Sequence, residues 1–481
     1  MTQPELPPES AHFVRVFGEF MESVNRHTAQ RPDDRPGVAE TVSEHLGRSP
    51  LGVAVVAEQV PGMRSADADI AIETVVERTG GGRVVGIGGG EQRMHHSLSE
   101  IVEQDAQWKQ FPLSAVDYVR TPVGPHATRR VVSFGLHLFH YTAGGEPVPV
   151  ALLQRAANPR FAMAGSIEIL TPDEDVAAAL LTDLRATMDE KSVLRGQLVS
   201  FVVTEFDPRA GGVTFLERPR IAPEDVILPE GVLDRVARQV LGVAEHRDRL
   251  LAAGQHLKRG VLLYGPPGTG KTHTVRYLAG ARPEVTVIVL TGTSFALVRM
   301  ATEIARALEP AVVVLEDCDL IAEDRSFHDG PQPLLFELLE AMDGIRPDAD
   351  VAFVLTTNRA DLLERALADR PGRIDLAAEI PLPDEPARLS LFRLYRAGID
   401  FSDEALARAA ARTEGVTASF VKEVVRRAVL IAAEAGEDVG DAHLDAAVTE
   451  LVDDAARITR SLLGGRPADE ASSTFEHFSD G

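Results

Sequence analysis

The sequence predicts a phosphate-loop α/β fold, with a parallel sheet and helices on both its faces, followed by a C-terminal helical subdomain and preceded by an α+β region. Three observations predict it. Gly265-Pro266-Pro267-Gly268-Thr269-Gly270-Lys271-Thr272 follows the apolar run Val261 to Tyr264 and precedes a helix-compatible stretch, which is the setting a phosphate-binding loop requires. From Gly260 onward strand and helix patterns alternate, the signature of a parallel sheet covered on both faces. After about Pro383 no strand candidates remain, and residues 386–463 carry helical periodicity, with Val421, Val424, Val425, Ala428 and Val429 forming one apolar stripe.

The first of the remaining elements is an amphipathic helix in which Phe13, Val16, Phe17, Phe20 and Val24 recur three and four residues apart after Ser10. A loop over Arg31 to Pro36 follows, and then strand-like and helical pieces alternate. Val53 to Ala57, Arg83 to Ile87, Val131 to Tyr141, Val148 to Leu153 and Ser166 to Leu170 have strand character. Thr171, Pro172 and Glu174 read as the capped start of a helix reaching about Met188. A strand over Leu198 to Thr204 leads through a Gly211-Gly212 turn to Val213 to Leu216. The glycines at 80–82 and 88–90 match no dinucleotide fingerprint and read as hairpin turns. Neither His95-His96 nor the pair His137 and His140, set on opposite faces of a strand, has metal-ligand spacing, so no metal site is assigned to them.

Length and composition narrow the function classes. A chain of 481 residues predicts about two to four domains. The order is an α+β region over 1–220, an α/β region over 221–384, helices over 385–463 and a disordered tail over 464–481. No stretch reaches the roughly 18 uninterrupted apolar residues of a membrane span, and the N-terminus has no signal-peptide pattern, so a cytoplasmic location is expected. A single cysteine, Cys318, excludes an intramolecular disulfide and a cysteine-rich zinc module. The net charge of −24 opposes a long contact with nucleic-acid phosphates. Of only five lysines, one stands at position 271.

The chemistry follows from that loop. Its glycines let successive backbone N–H groups approach phosphate oxygens, and the helix N-terminus behind them adds partial positive charge. Lys271 is placed to neutralise the β- and γ-phosphates of a nucleoside triphosphate, and the Thr272 hydroxyl to hold Mg²⁺. The buried-strand run Ala311 to Leu315 ends in Glu316-Asp317-Cys318-Asp319. One carboxylate there, Glu316, suits Mg²⁺, and the next, Asp317, suits a base for the attacking water. A third strand, Val351 to Leu355, ends at Thr356-Thr357-Asn358, where the Asn358 amide can hold that water. Arg370 and Arg373, in Arg370-Pro371-Gly372-Arg373, offer the fixed positive fork that phosphoryl transfer uses, supplied from a neighbouring subunit as an arginine finger.

The series LLYGPPGTGKT, VVVLEDCDLI, LLFELLEAMDGI, TTNRADLLERAL and DRPGRID resembles the AAA family of AAA+ ATPases over residues 225–460, about half the chain. The resemblance implies an ATPase with ATP and Mg²⁺ as ligands, the loop with its successor His273 as the nucleotide cradle, and Glu316 and Asp317 at the Walker B positions. Asn358 takes the place of sensor 1, Arg370 and Arg373 those of the trans-acting fingers, and Asp343-Gly344 that of the intersubunit-signalling segment. The helical end is implied to be a lid, with Ala418 and Ser419 facing the nucleotide where the family usually has Gly-Ala. Such proteins usually form hexameric rings that remodel protein clients, so the implied partners are copies of the same chain and an unidentified client bound through the N-terminal half.

Three departures qualify what the resemblance implies. The Walker B order is Glu-Asp rather than Asp-Glu, as in the mitochondrial AAA factor that assembles the Rieske protein, so the base is one methylene shorter. Thr291 to Met300 is several residues short of an aromatic pore loop, so Phe295 is expected to pack in the core instead of gripping a threaded chain. The lid has Ala-Ser in place of Gly-Ala, and a small residue there still lets base and ribose approach. No His-Glu-x-x-His protease motif occurs, and the terminus lacks the hydrophobic-Tyr-x ending of proteasomal ATPases, so a degradation partner is not implied. Two other readings stand beside the remodelling ATPase: a nucleotide-switched assembly factor with slow turnover, and a nucleic-acid-dependent ATPase, which the acidic balance opposes.

Overall fold

A computed structural model of the chain describes residues 36–158, 163–204, 210–319, 340–359 and 373–462, with Val16, Phe17, Phe20 and Leu338. Phe13, Val24, Arg370 and the tail over 464–481 lie outside the described residues; Val16, Phe17 and Phe20 are helical and about half exposed. The chain divides into two compact units, Met1–Leu216 and Glu217–Gly481.

In the first unit an antiparallel sheet is built from β1 (Val55–Val60), β2 (Gly82–Ile87), β3 (Leu113–Ser114), β4 (Asp117–Gly124), β5 (Ala127–Tyr141), β6 (Val148–Arg155) and β7 (Gly165–Leu170). The order is β1-β7-β6-β5-β2-β3, with β4 paired to the first half of β5. Successive residues of β6 serve opposite faces, because side chains alternate along a strand. Val150 and Leu152 pack with α2 (Ser65–Arg78) and α4 (Glu174–Glu190), whereas Ala151 and Leu153 pack with α1 (Val38–Leu46) and α3 (Leu98–Trp108). Helices therefore cover both faces, and β6 is apolar through its middle without alternation.

Two local expectations are corrected here. The cap of α4 is Asp173, whose carboxylate accepts from the N–H groups of Asp175 and Val176, while Thr171 donates its hydroxyl to Pro149 O. The glycine runs are not hairpin turns. Gly80-Gly81 links α2 to β2, and Gly88 to Gly90 links β2 to a 3-10 turn. A hairpin, β8 (Leu198–Val202) with β9 (Gly212–Leu216), ends the unit.

In the second unit β10 (Arg259–Tyr264), β11 (Thr286–Thr291), β12 (Ala311–Glu316), β13 (Val351–Thr357) and β14 (Leu376–Glu379) run parallel in the order β14-β10-β13-β12-β11. Their middles are continuously buried, as a sheet covered on both faces requires. Connections run through α5 (Lys271–Ala281) and α6 (Val298–Ala307). Four helices follow: α7 (Glu385–Tyr395), α8 (Asp403–Arg412), α9 (Ala418–Ala435) and α10 (Asp441–Leu462). They share a core of Phe392, Phe401, Leu406, Val421, Val424 and Leu444. Among the described residues no helix is long and apolar enough to cross a membrane.

Candidate functional site

The site forms where β10, β12 and β13 end. Their register sets Tyr264 beside Thr357 and Leu315 beside Leu355. The glycine loop, the acidic segment after Leu315 and Thr356 to Asn358 thus leave the sheet together at its carboxyl edge, where parallel sheets bind ligands.

The loop is shaped by close approaches. Gly265 has φ +147°, and a Cβ there would lie 2.1 Å from Ile380 O; at Gly268, φ +77°, a Cβ would crowd Thr417 and Ser419 at 3.1 Å. Gly270 caps α5, so Lys271 and Thr272 begin it and the first, unpaired N–H groups of the helix face the loop. The Lys271 ammonium is buried inside the curve and donates to the carbonyls of Gly265 and Pro266, both at 2.8 Å, while Thr269 donates to Pro266 O at 2.9 Å. Burial lowers the Lys271 pKa, and the charges of Asp317 and Asp319 pull it back up. Pro266, Pro267 and Gly268 form the exposed tip. From the helical end of the unit, Ser419 N donates to Gly268 O at 3.1 Å, so Ala418 and Ser419, the first turn of α9, rest on the loop. His273 follows the loop, but its Nε2 is engaged by Asp225 O at 3.2 Å and not by any loop atom among the described contacts.

Glu316 ends β12 half-buried. Burial raises its carboxyl above the usual range and Asp317 raises it further, against a hydrogen bond from the Thr272 side chain. Its Oε1 is buried with no hydrogen-bond partner. A carboxylate with an open lone pair beside a hydroxyl is an oxygen donor set that fits Mg²⁺. Asp317 takes φ +56°, in the left-handed region that non-glycine residues rarely enter. Thr356 holds the backbone there: its Oγ1 accepts from Asp317 N at 2.9 Å and its O from Cys318 N at 2.8 Å.

Asp319 was not singled out from the sequence, and it is the hub of the segment. Its carboxylate accepts from Asn358 N at 3.1 Å, Asn358 Nδ2 at 3.3 Å and the Thr357 hydroxyl at 3.2 Å. Burial would raise its pKa, but the bonds from Asn358 and Thr357, with one from its own backbone N–H, outweigh it and hold the carboxyl below the usual range. Only the adjacency of β12 and β13 shows the partnership; the sequence signal was a third carboxylate after the strand.

Of the two arginines, Arg370 lies outside the described residues. The Arg373 side chain is 6% exposed and bonds both carboxylate oxygens of Asp343 in the same chain, Nε to Oδ1 at 3.0 Å. Phe295 is 3% exposed in the 3-10 turn Gly292–Leu297, which passes directly into α6 and is tied by Ser294 Oγ to Thr291 N and O at 2.7 and 2.9 Å.

Residues 261–382 match the family described as "ATPase family associated with various cellular activities (AAA)". Among curated proteins, the proteasome-activating nucleotidase of Methanopyrus kandleri is 31% identical over 261 residues, 50% of this chain and 58% of that protein. The ATP-dependent zinc metalloprotease FtsH 3 of Sphaerobacter thermophilus is 31% identical over 267 residues, 53% of this chain and 54% of that protein. The proteasome-activating nucleotidase of Methanoculleus marisnigri is 29% identical over 296 residues, 58% of this chain and 69% of that protein. The chain thus spans between half and two thirds of the first two relatives. The loop, the acidic strand end and Asn358, gathered at one sheet edge, thus all lie within the stretch 261–382 that matches the AAA family of ATPases.

Proposed function

We propose that this chain is a Mg²⁺-dependent ATPase that assembles with its own copies into a ring, by family habit a hexamer, and spends ATP on remodelling a protein client held by residues 1–220. The observation that carries the reading is the convergence at one sheet edge of the Lys271 ammonium, the Glu316 and Asp317 carboxylates and the Asn358 amide.

The geometry supports one role for each residue. Loop N–H groups and Lys271 bind and orient the β- and γ-phosphates; Lys271 exchanges its two carbonyl partners for phosphate oxygens. Thr272 and Glu316 would hold Mg²⁺, which when bound neutralises phosphate charge. Asp317 accepts the proton of the water that adds to the γ-phosphorus as the bond to the bridging oxygen breaks, giving ADP and phosphate. Helices α7–α10 act as the lid, with Ala418 and Ser419 against the loop. The trans-acting role falls to Arg370, because Arg373 is engaged by Asp343.

Burial of Phe295 favours client handling by the N-terminal region over threading through a ring pore. The same burial, with a shorter base at 317, also supports the second reading, an assembly factor switched by nucleotide with slow turnover. Client-stimulated hydrolysis together with loss of client structure separates the first reading from the second. The location proposed is cytoplasmic, without a nucleic-acid partner.

Phosphate release and nucleotide binding test the site. Lys271→Ala is expected to lose most ATP binding, and Asp317→Asn to keep binding while turnover falls at least about tenfold, the scale of general-base losses. Equal turnover by the parent and Asp317→Asn would defeat the assignment.

A further inference from the structure

We propose that Asp319 is a positioning residue for hydrolysis, fixing the Asn358 amide so that Oδ1, and not Nδ2, is the atom offered to the attacking water. The inference rests on the reading above that Asn358 holds this water.

Asp319 is 8% exposed, and both its oxygens are occupied by the residues that end β13. Oδ1 accepts the Asn358 backbone N–H and the Thr357 hydroxyl, and Oδ2 accepts Asn358 Nδ2. An ionised carboxylate accepts hydrogen bonds and donates none. The primary amide must therefore turn its NH₂ toward Asp319, which leaves Oδ1 on the other side of the amide plane. Backbone and side chain of the same asparagine are gripped at once, so rotamer and amide orientation are fixed together.

That orientation matters for the attack. A nucleophilic water needs a lone pair aimed at phosphorus, and its two hydrogens can go to acceptors. Asp317 takes one as the base, and Asn358 Oδ1 can take the other. An amide flipped to present Nδ2 would donate to the water and draw on the lone pairs that attack requires. Asp319 thereby selects the productive face of Asn358 without touching substrate.

The test is a double-mutant cycle on the full-length chain at saturating MgATP, with phosphate release for kcat and a fluorescent ATP analogue for binding. Asp319→Asn is expected to lower kcat about tenfold while affinity for the analogue and KM stay within about twofold, the pattern of an interaction used only in the transition state. Asn358→Ala should lower kcat comparably. Adding Asp319→Asn to Asn358→Ala should then cost less than about twofold more, because the amide to be held is gone. A purely structural Asp319 would still lose its bonds to the Thr357 hydroxyl and the 358 backbone N–H in that background, so an additive loss overturns the proposal. Unchanged kcat in Asp319→Asn alone also overturns it. Full turnover by Asn358→Ala would instead sink the underlying reading of Asn358. Should Asp319→Asn fail to fold, Asp319→Glu carries the test: it keeps an ionised acceptor, so turnover is expected within about threefold of the parent, and a loss as deep as that of Asn358→Ala refutes the proposal.

Discussion

Truncating Phe295 distinguishes a core side chain from a substrate grip. Phe295 is 3% exposed and is followed by Leu297 and Val298, at 2% and 1%, where the 3-10 turn enters α6. Phe295→Ala removes a buried ring from a site pinned on one side by the Thr291–Ser294 bonds and on the other by α6, so collapse of the surroundings is limited. Such truncations cost about 3–5 kcal/mol. For a unit of this size each kcal/mol lowers the midpoint by about 2–4 °C, which predicts a fall of about 6–20 °C. Calorimetry of the full-length chain reads this directly, and the relevant transition is the one that ATP moves upward, because ligand binding stabilises the unit that binds it. A midpoint within about 2 °C of the parent, with ATPase intact and processing of a client trapped by Asp317→Asn abolished, would show that the ring grips substrate; the scale is again about 2–4 °C per kcal/mol.

Three further outcomes are expected. Mixing Arg370→Ala chains with Asp317→Asn chains should restore part of the ATPase at interfaces with an intact base and an intact finger. The same mixture with Arg373→Ala should restore less and show a lowered midpoint, since the pair with Asp343 is lost; equal recovery with an unchanged midpoint would mean that Arg373 leaves Asp343 in the ring. The Asp319 carboxyl is held below its ordinary value of 3.8, so ionisation favours the folded state: its contribution is present above that value and is lost as pH falls through the lower folded one. The midpoint gap between the parent and Asp319→Asn should accordingly be present at neutral pH and close below 3.8, and a pH-independent gap would contradict an ionised Asp319.

The loop, the strands behind it and the carboxylates at 316 and 317 were legible because their chemistry is contiguous. Eight adjacent residues make the cradle, and a strand's last residue announces the sheet edge. Helices α2 and α3 were not placed by periodicity. In α2 two buried carboxylates interrupt the apolar pattern, Asp67 and Asp69, each satisfied from afar. Asp67 accepts from Ser192 Oγ and Val193 N, both at 2.8 Å, and Asp69 from Val132 N at 3.0 Å and Gln154 Nε2 at 3.1 Å. A carboxylate reads as solvent-facing until its distant donors are known.

By itself, the sequence determined that a triphosphate cradle precedes an acidic strand end and an asparagine, that Phe295 has too short a segment to project from, and that helices follow the last strand. Tertiary structure alone decided that Asp319 grips Asn358, that Thr356 holds Asp317 in a left-handed backbone, that Ser419 meets Gly268 and that Arg373 is spent on Asp343. The physical reason is the range of the interactions. Turn conformation and strand burial are set by neighbours along the chain, whereas a hydrogen bond between residues 39 apart exists only once parallel register has brought two strand ends to one edge.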